Sequence, residues 1–144
     1  LGASVPRLEV EKTIEAYRRL TSAMDEGLVA ACHDLSEGGL GVAAAEMAFT
    51  GCLGLEIDFS SVPTAGGMRD DLALFSESNG RLLVEAHEGD ADAFEAAMKG
   101  VRFVRVGEVT GGERFRVSSR GRVVVDEPLE GLMMAWKTPL GGSR

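Results

Sequence analysis

The sequence is poor in the residues that most often announce a function. Its 144 residues include two cysteines, Cys32 and Cys52, and two histidines, His33 and His87. Two thiols make no disulfide framework, and neither has metal-ligand spacing, so a reducing, cytoplasmic setting is expected. Basic charge is scarce too: 15 Lys and Arg stand against 23 Asp and Glu, a net charge of −8. That balance argues against nucleic acid as a partner, because a phosphate backbone rewards clustered cations. No apolar run approaches the roughly 20 residues of a membrane helix, and no signal peptide is recognisable. Neither a membrane nor nucleic acid is therefore an expected partner. There is no P-loop, no metal motif and no Ser-His-Asp or Cys-His arrangement, hence no self-sufficient catalytic machinery.

What is present suits a globular fold. Hydrophobic residues make up 44% and charged residues 26%, an ordinary balance. The length fits a single domain, residues 1–144, with a sizeable core. The chain opens at Leu1 rather than Met and its first helix follows abruptly, so a piece of a longer multidomain protein is expected. Any interdomain linker falls before Leu8.

Val10, Ile14, Tyr17, Leu20 and Met24 recur at spacings of three and four. They predict one apolar stripe on a helix from about Leu8 to Glu26, with Pro6 and Gly27 as start and stop signals. Leu28 to Cys32 reads as a buried strand. Ser36 suits the N-cap of a second helix, with Leu40, Ala43, Ala44, Met47 and Ala48 on its buried face and Gly51 at its end. Leu53 to Phe59 alternates as a strand, Pro63 to Gly67 is a loop, and Arg69 to Ser78 a short helix or turn. Arg81 to Ala86 is a strand, Asp90 to Lys99 a helix and Val101 to Val109 a strand. Arg114–Val117 and Arg122–Val125 make a hairpin over Ser118–Gly121, and a last helical turn holds Leu132, Met133 and Trp136. The fold class expected is α+β: a mixed sheet with a β-α-β-β-α-β ferredoxin-like core, preceded by an N-terminal helix and followed by a C-terminal hairpin.

Two polar knots stand out. In "HDLSEGG", His33 to Gly39, a strand gives way to a helix whose first N–H groups lack partners and favour an anion. Gly38 and Gly39 cost a helix start about 1 kcal/mol each against alanine, which suggests a use. The plainer reading is a capped helix packed closely, and the carboxylates of Asp34 and Glu37 would repel a bare phosphate. His33 and Asp34, adjacent on a strand, point to opposite faces and form no dyad. In "FSESNGR", Phe75 to Arg81, the hydroxyls and amides could read a sugar, or Asn79-Gly80 could be an ordinary turn. Arg102, Arg105, Arg114, Arg116, Arg120 and Arg122 form either a solvated face or a surface for an acidic partner.

Taken together, "HDLSEGGLGVAAAEMAFTGCLGLEID" (His33 to Asp58), "LFSESNGRLLVE" (Leu74 to Glu85) and "VGEVT" (Val106 to Thr110) resemble the C-terminal domain of the aminoimidazole-ribonucleotide-synthetase superfamily. Within it the chain is most similar to the formylglycinamide ribonucleotide amidotransferases (phosphoribosylformylglycinamidine synthases), synthetase subunit. The resemblance spans about Leu8 to Thr110. It implies an ATP- and Mg2+-dependent ligase of purine biosynthesis that turns formylglycinamide ribonucleotide and glutamine-derived ammonia into the amidine. It implies a tandem protein in which this piece is the second C-terminal-type copy, inactive alone and binding no cofactor alone. Implied partners are the ATP-binding domains of the same synthetase, a glutaminase and small accessory subunits. By this resemblance, Asp34, Ser36, Glu37, Gly38, Gly39, Glu77, Ser78 and Asn79 line a ribonucleotide or nucleotide cleft, with no catalytic residue and no metal ligand in this piece. The first copy carries Glu-Ser-Gln where this chain has Glu77-Ser78-Asn79, one methylene shorter, which puts direct substrate binding by this copy in doubt. The alternative is a non-catalytic scaffold that packs on an ATP-binding domain and recruits partner subunits.

Overall fold

The computed structural model describes residues 8–64 and 68–138. Pro6, the expected linker before Leu8 and the Ala65–Gly67 part of the expected loop lie outside them. In chain order the elements are α1 (Val10–Asp25), β1 (Val29–Asp34), α2 (Gly39–Gly51), β2 (Gly54–Asp58), a 3-10 turn (Phe59–Ser61), α3 (Asp70–Leu74), β3 (Leu82–Ala86), α4 (Ala91–Ala97), β4 (Gly107–Thr110), β5 (Arg114–Ser119), β6 (Arg122–Pro128) and α5 (Leu129–Lys137). The α+β class, the N-terminal helix and the C-terminal hairpin are all present. Val101 to Val106, expected within a strand, is irregular, and β4 begins only at Gly107.

Within the expected single domain the chain condenses into two compact, discontinuous units. One joins the chain up to Gly39 to Glu77–Phe103, and the other joins Leu40–Ser76 to the chain from Val104 onward. The β-α-β-β-α-β order runs from β1 to β4, with α3 added between β2 and β3. Its pairing is distributed over two sheets where one mixed sheet was expected.

In the first unit β1 pairs antiparallel with β3, from Val29 opposite Ala86 to Asp34 opposite Leu82. Helix α1 does not bury the stripe its periodicity predicts. Leu20 and Ala23 are buried, whereas Val10, Ile14, Tyr17 and Met24 are 57%, 45%, 43% and 41% exposed. The inward face is the neighbouring one, where half-buried Ala16 joins Leu20 and Ala23. Small side chains let that face sit close, and Arg19 reaches across to the carbonyl of Ala97 at the end of α4.

In the second unit β2 is central: β4 pairs with it antiparallel and β5 in parallel, and β6 completes the order β4-β2-β5-β6. Ile57, Phe59, Phe115 and Val117 are buried here, as are Leu40, Ala43, Ala44, Ala48 and Phe49 of α2. Phe49 meets the ring of Trp136 at 5.9 Å between centroids, and the Trp136 indole N–H donates to Glu46 at 3.0 Å. Gly107 permits the β4–β2 approach: a Cβ there would collide with the carbonyl oxygen of Glu56. Residues Arg120 and Gly121, at φ 51° and 75°, form the two-residue loop of the β5–β6 hairpin, a conformation whose twist matches paired strands. The Arg120 N–H donates to the Ser60 hydroxyl at 2.6 Å, and that hydroxyl donates to Asp58.

Candidate functional site

The two polar knots meet in the first unit. Strand β1 ends at Asp34 and β3 begins opposite it at Leu82, so antiparallel pairing brings the residues before β3 to the turn after β1. The Leu35 N–H continues the ladder by donating to the carbonyl of Arg81 at 3.1 Å. Three residues further along, the Gly38 N–H donates to Glu77 Oε1 at 2.9 Å. Residues distant in sequence thus share one strand end.

The turn itself is built by glycine. Gly38 and Gly39 stand at φ 78° and 59°, a left-handed region that a side chain disfavours. The Gly39 N–H closes the turn on the carbonyl of Ser36 at 3.2 Å. Helix α2 therefore starts at Gly39, later than a Ser36 cap requires, and the cap position falls on Gly38. In a local capping box a glutamate three residues into the helix reaches back to that N–H. Here Glu77 supplies the same carboxylate from the other knot.

Asp34, Ser36, Glu37, Glu77 and Asn79 are exposed, Gly38 and Ser78 are half-buried, and Gly39 is buried. Three carboxylates, those of Asp34, Glu37 and Glu77, surround the turn. The local field opposes a free anion, and the Gly38 N–H already serves one. Arg81, half-buried at the edge of the knot, holds its loop by donating from Nε to the carbonyl of Ser78 at 3.4 Å. Burial pulls the Arg81 pKa below its ordinary value. The sequence reading did not single Arg81 out for this role; its place directly before an apolar strand was the available signal.

His33 is closer to Asp34 than strand alternation predicts. Its Nδ1 lies 2.7 Å from the main-chain oxygen of Asp34 and 3.6 Å from its carboxylate. A carbonyl only accepts, so Nδ1 carries the proton in this arrangement. His87 is exposed, and its backbone N–H donates to Leu28.

The arginines of the second unit are largely engaged. Arg114 and Arg116 share Asp126 at 2.7 and 3.1 Å, and Arg122 meets Asp70 at 3.1 Å. Asp70 also accepts from the buried Ser119 hydroxyl at 3.1 Å. Hydrogen bonding by Arg114 foremost holds the Asp126 carboxyl below the usual carboxylate range. Such pairing favours a self-neutralised face over a surface for an acidic partner. Among the described residues no three His, Cys, Asp or Glu side chains converge to hold a metal ion, and no helix is long and apolar enough to cross a membrane.

Residues 3–120 match the family described as AIR synthase related protein, C-terminal domain. The phosphoribosylformylglycinamidine synthase subunit PurL of Thermomicrobium roseum is 39% identical over 142 residues, covering 96% of this chain and 18% of that protein. The same subunit from Methanocaldococcus jannaschii is 33% identical over 126 residues, covering 88% and 17%. A solved structure of T. maritima PurL complexed with FGAR superposes with a TM-score of 0.72 at 31% identity, covering 84% of this chain and 20% of that one. A hydrogenase maturation protein HypE shares the fold at a TM-score of 0.63 and 17% identity. The chain spans less than a fifth of the length of these PurL relatives.

Proposed function

The chain belongs to the AIR synthase related protein family, as a C-terminal domain of that type, and we propose that it works as one such domain, residues 1–144, of a phosphoribosylformylglycinamidine synthase. In the whole enzyme ATP phosphorylates the amide oxygen of formylglycinamide ribonucleotide, ammonia from glutamine adds at that carbon, and phosphate leaves to give the amidine. That chemistry belongs to purine biosynthesis in the cytoplasm. Partner regions are the ATP-binding domains of the same protein, a glutaminase and small accessory subunits. In this reading magnesium and ATP are held by the ATP-binding domains of the whole protein, and among the described residues of this chain no three His, Cys, Asp or Glu side chains converge to hold a metal ion. The chain's contribution is to shape a ribonucleotide or nucleotide cleft with Asp34, Ser36, Glu37, Gly38, Gly39, Glu77, Ser78 and Asn79.

The observation that carries this reading is the Gly38–Glu77 hydrogen bond, which ties together the two motifs on which the resemblance rests. A second reading draws on the same bond. A carboxylate of the chain itself occupies the N–H that an anion would use, which favours a structural, scaffolding copy over a substrate-binding one. The coding sequence upstream of Leu1 tests the family assignment: a Gly- and Asp-rich ATP-binding domain there sustains it, and an unrelated domain overturns it. Titration of the longer protein with formylglycinamide ribonucleotide separates the two readings. Weaker binding on Ser78→Ala and Asn79→Ala supports the cleft, and unchanged binding supports the scaffold. The 144-residue chain alone should form no amidine, and ATP-dependent product from it would refute the assignment of ATP chemistry to other domains.

A further inference from the structure

Helix α1 has two apolar faces roughly 100° apart around its axis. One, with Ala16, Leu20 and Ala23, faces inward. The other, left open, runs through Val10, Ile14, Tyr17, Thr21 and Met24. Its spacing alternates four, three, four, three, the d-a-d-a-d series of a heptad seam. Thr21 is the one polar member, and its hydroxyl is already satisfied by the Tyr17 carbonyl at 2.8 Å.

The flanking charges say what fits this seam. Glu11, Arg18 and Asp25 fall at successive e positions. Elsewhere on the helix Lys12 pairs with Glu9 and Arg19 with Glu15, and the Glu26 carboxylate accepts from the Ser22 hydroxyl. Glu11 and Arg18 meet no charged partner among the described residues. In an antiparallel helix pair each e position faces the partner's e position. Setting Val10 opposite Thr21 and Ile14 opposite Tyr17 places Glu11 against Arg18, and two-fold symmetry repeats the pair. A slip of one heptad sets Arg18 against Arg18 and Glu11 against Asp25. A parallel pair sets these e charges against Thr13 and Leu20, where no opposite charge waits. One register of one orientation satisfies both seam and charges.

We propose that α1 is a self-association surface, through which a second copy of this chain pairs antiparallel along Val10, Ile14, Tyr17 and Thr21 with reciprocal Glu11–Arg18 contacts. This goes beyond the family assignment and does not depend on it. The seam belongs to a single 16-residue helix, so association is weak and concentration-dependent, in the class of small, transient interfaces.

Sedimentation equilibrium of the purified chain over a wide concentration range tests it. The dimer fraction should rise with concentration and fall with salt, and Ile14→Glu should abolish it. Glu11→Arg alone and Arg18→Glu alone should each weaken self-association about tenfold, because two exposed pairs become repulsive. Mixing the two variants should restore it as a heterodimer, since every facing pair is then opposite in sign. All three substituted positions are exposed, so helicity by circular dichroism should stay unchanged and report that the fold is intact. A chain that is monomeric at every concentration overturns the proposal. So does association indifferent to either charge reversal, or a mixture that associates no better than its components.

Discussion

The unit built on β1 and β3 and the unit built on β2, β4, β5 and β6 use their polar residues differently. In the second unit polar groups close on one another: Asp126 with Arg114 and Arg116, Asp70 with Ser119 and Arg122, Asp58 with Ser60 and Arg120. Most of the fully buried apolar side chains also belong to it. In the first unit the polar residues gather at one strand end, largely exposed, around a glycine turn tied across by the Leu35–Arg81 and Gly38–Glu77 bonds. A two-stranded sheet is at the lower limit of independent stability. The difference teaches a contrast in how polar groups are used: one unit closes them on one another, and the other leaves them largely exposed around a glycine turn.

The comparison can be broken most sharply at Gly107. A methyl at this position collides with the Glu56 carbonyl, so Gly107→Ala should cost about 2–3 kcal/mol, the scale of overpacking in a fitted interior. A lower midpoint in urea checks it, and an unchanged midpoint would remove the close β4–β2 approach from the account. Next in size is Glu77→Ala, which deletes the cross-knot bond. A net loss of about 1 kcal/mol is expected, and faster hydrogen exchange at the Gly38 amide should report it while the β5–β6 amides stay protected. Ser36→Ala should change stability by less than about 0.5 kcal/mol, because the helix begins beyond it. A cost as large as that of Glu77→Ala would restore Ser36 as the cap.

The hairpin offers a change in the opposite direction. Arg120 occupies a left-handed conformation that asparagine tolerates better. Arg120→Asn should therefore raise stability by about 0.5–1 kcal/mol, read as a higher thermal midpoint. The smallest expected effect is on acid sensitivity. Asp126 has its pKa lowered in the folded chain by Arg114, so the unfolded state binds the proton first as pH falls. Its contribution is present above the ordinary carboxylate pKa, about 3.9, and disappears as pH drops through the lower folded value. Stability of Asp126→Asn should depend less steeply on pH below about 4 than that of the parent chain, although the exposed setting keeps the difference small.

Much of this was legible in the residues, where local physics decides. The alternation around Ile57 gave β2, the Ser118–Gly121 turn gave the hairpin, and the alanine-rich run gave α2. The two knots could be named separately, but their joining needed the β1–β3 register, which alternation does not encode. The α1 stripe misled for a physical reason. Periodicity reports an apolar face but not which of two faces turns inward, and small residues such as Ala16 and Ala23 pack closer than the larger ones beside them. The late strand was overextended because Val101, Phe103 and Val106 look strand-like, whereas the pairing that makes a strand starts only where Gly107 admits it.

The parallel pairing of β2 with β5, Leu55 opposite Phe115, also sets a timetable. As the chain is made, β2 emerges long before the segment that will lie beside it, and the whole of the other unit's second half comes between. Contacts so far apart in sequence form late and slowly. Until then β2 is an open edge, the kind that sticks to other nascent chains. Glu56 and Asp58 sit on it as exposed carboxylates, gatekeepers that keep the waiting strand in solution until its neighbour arrives.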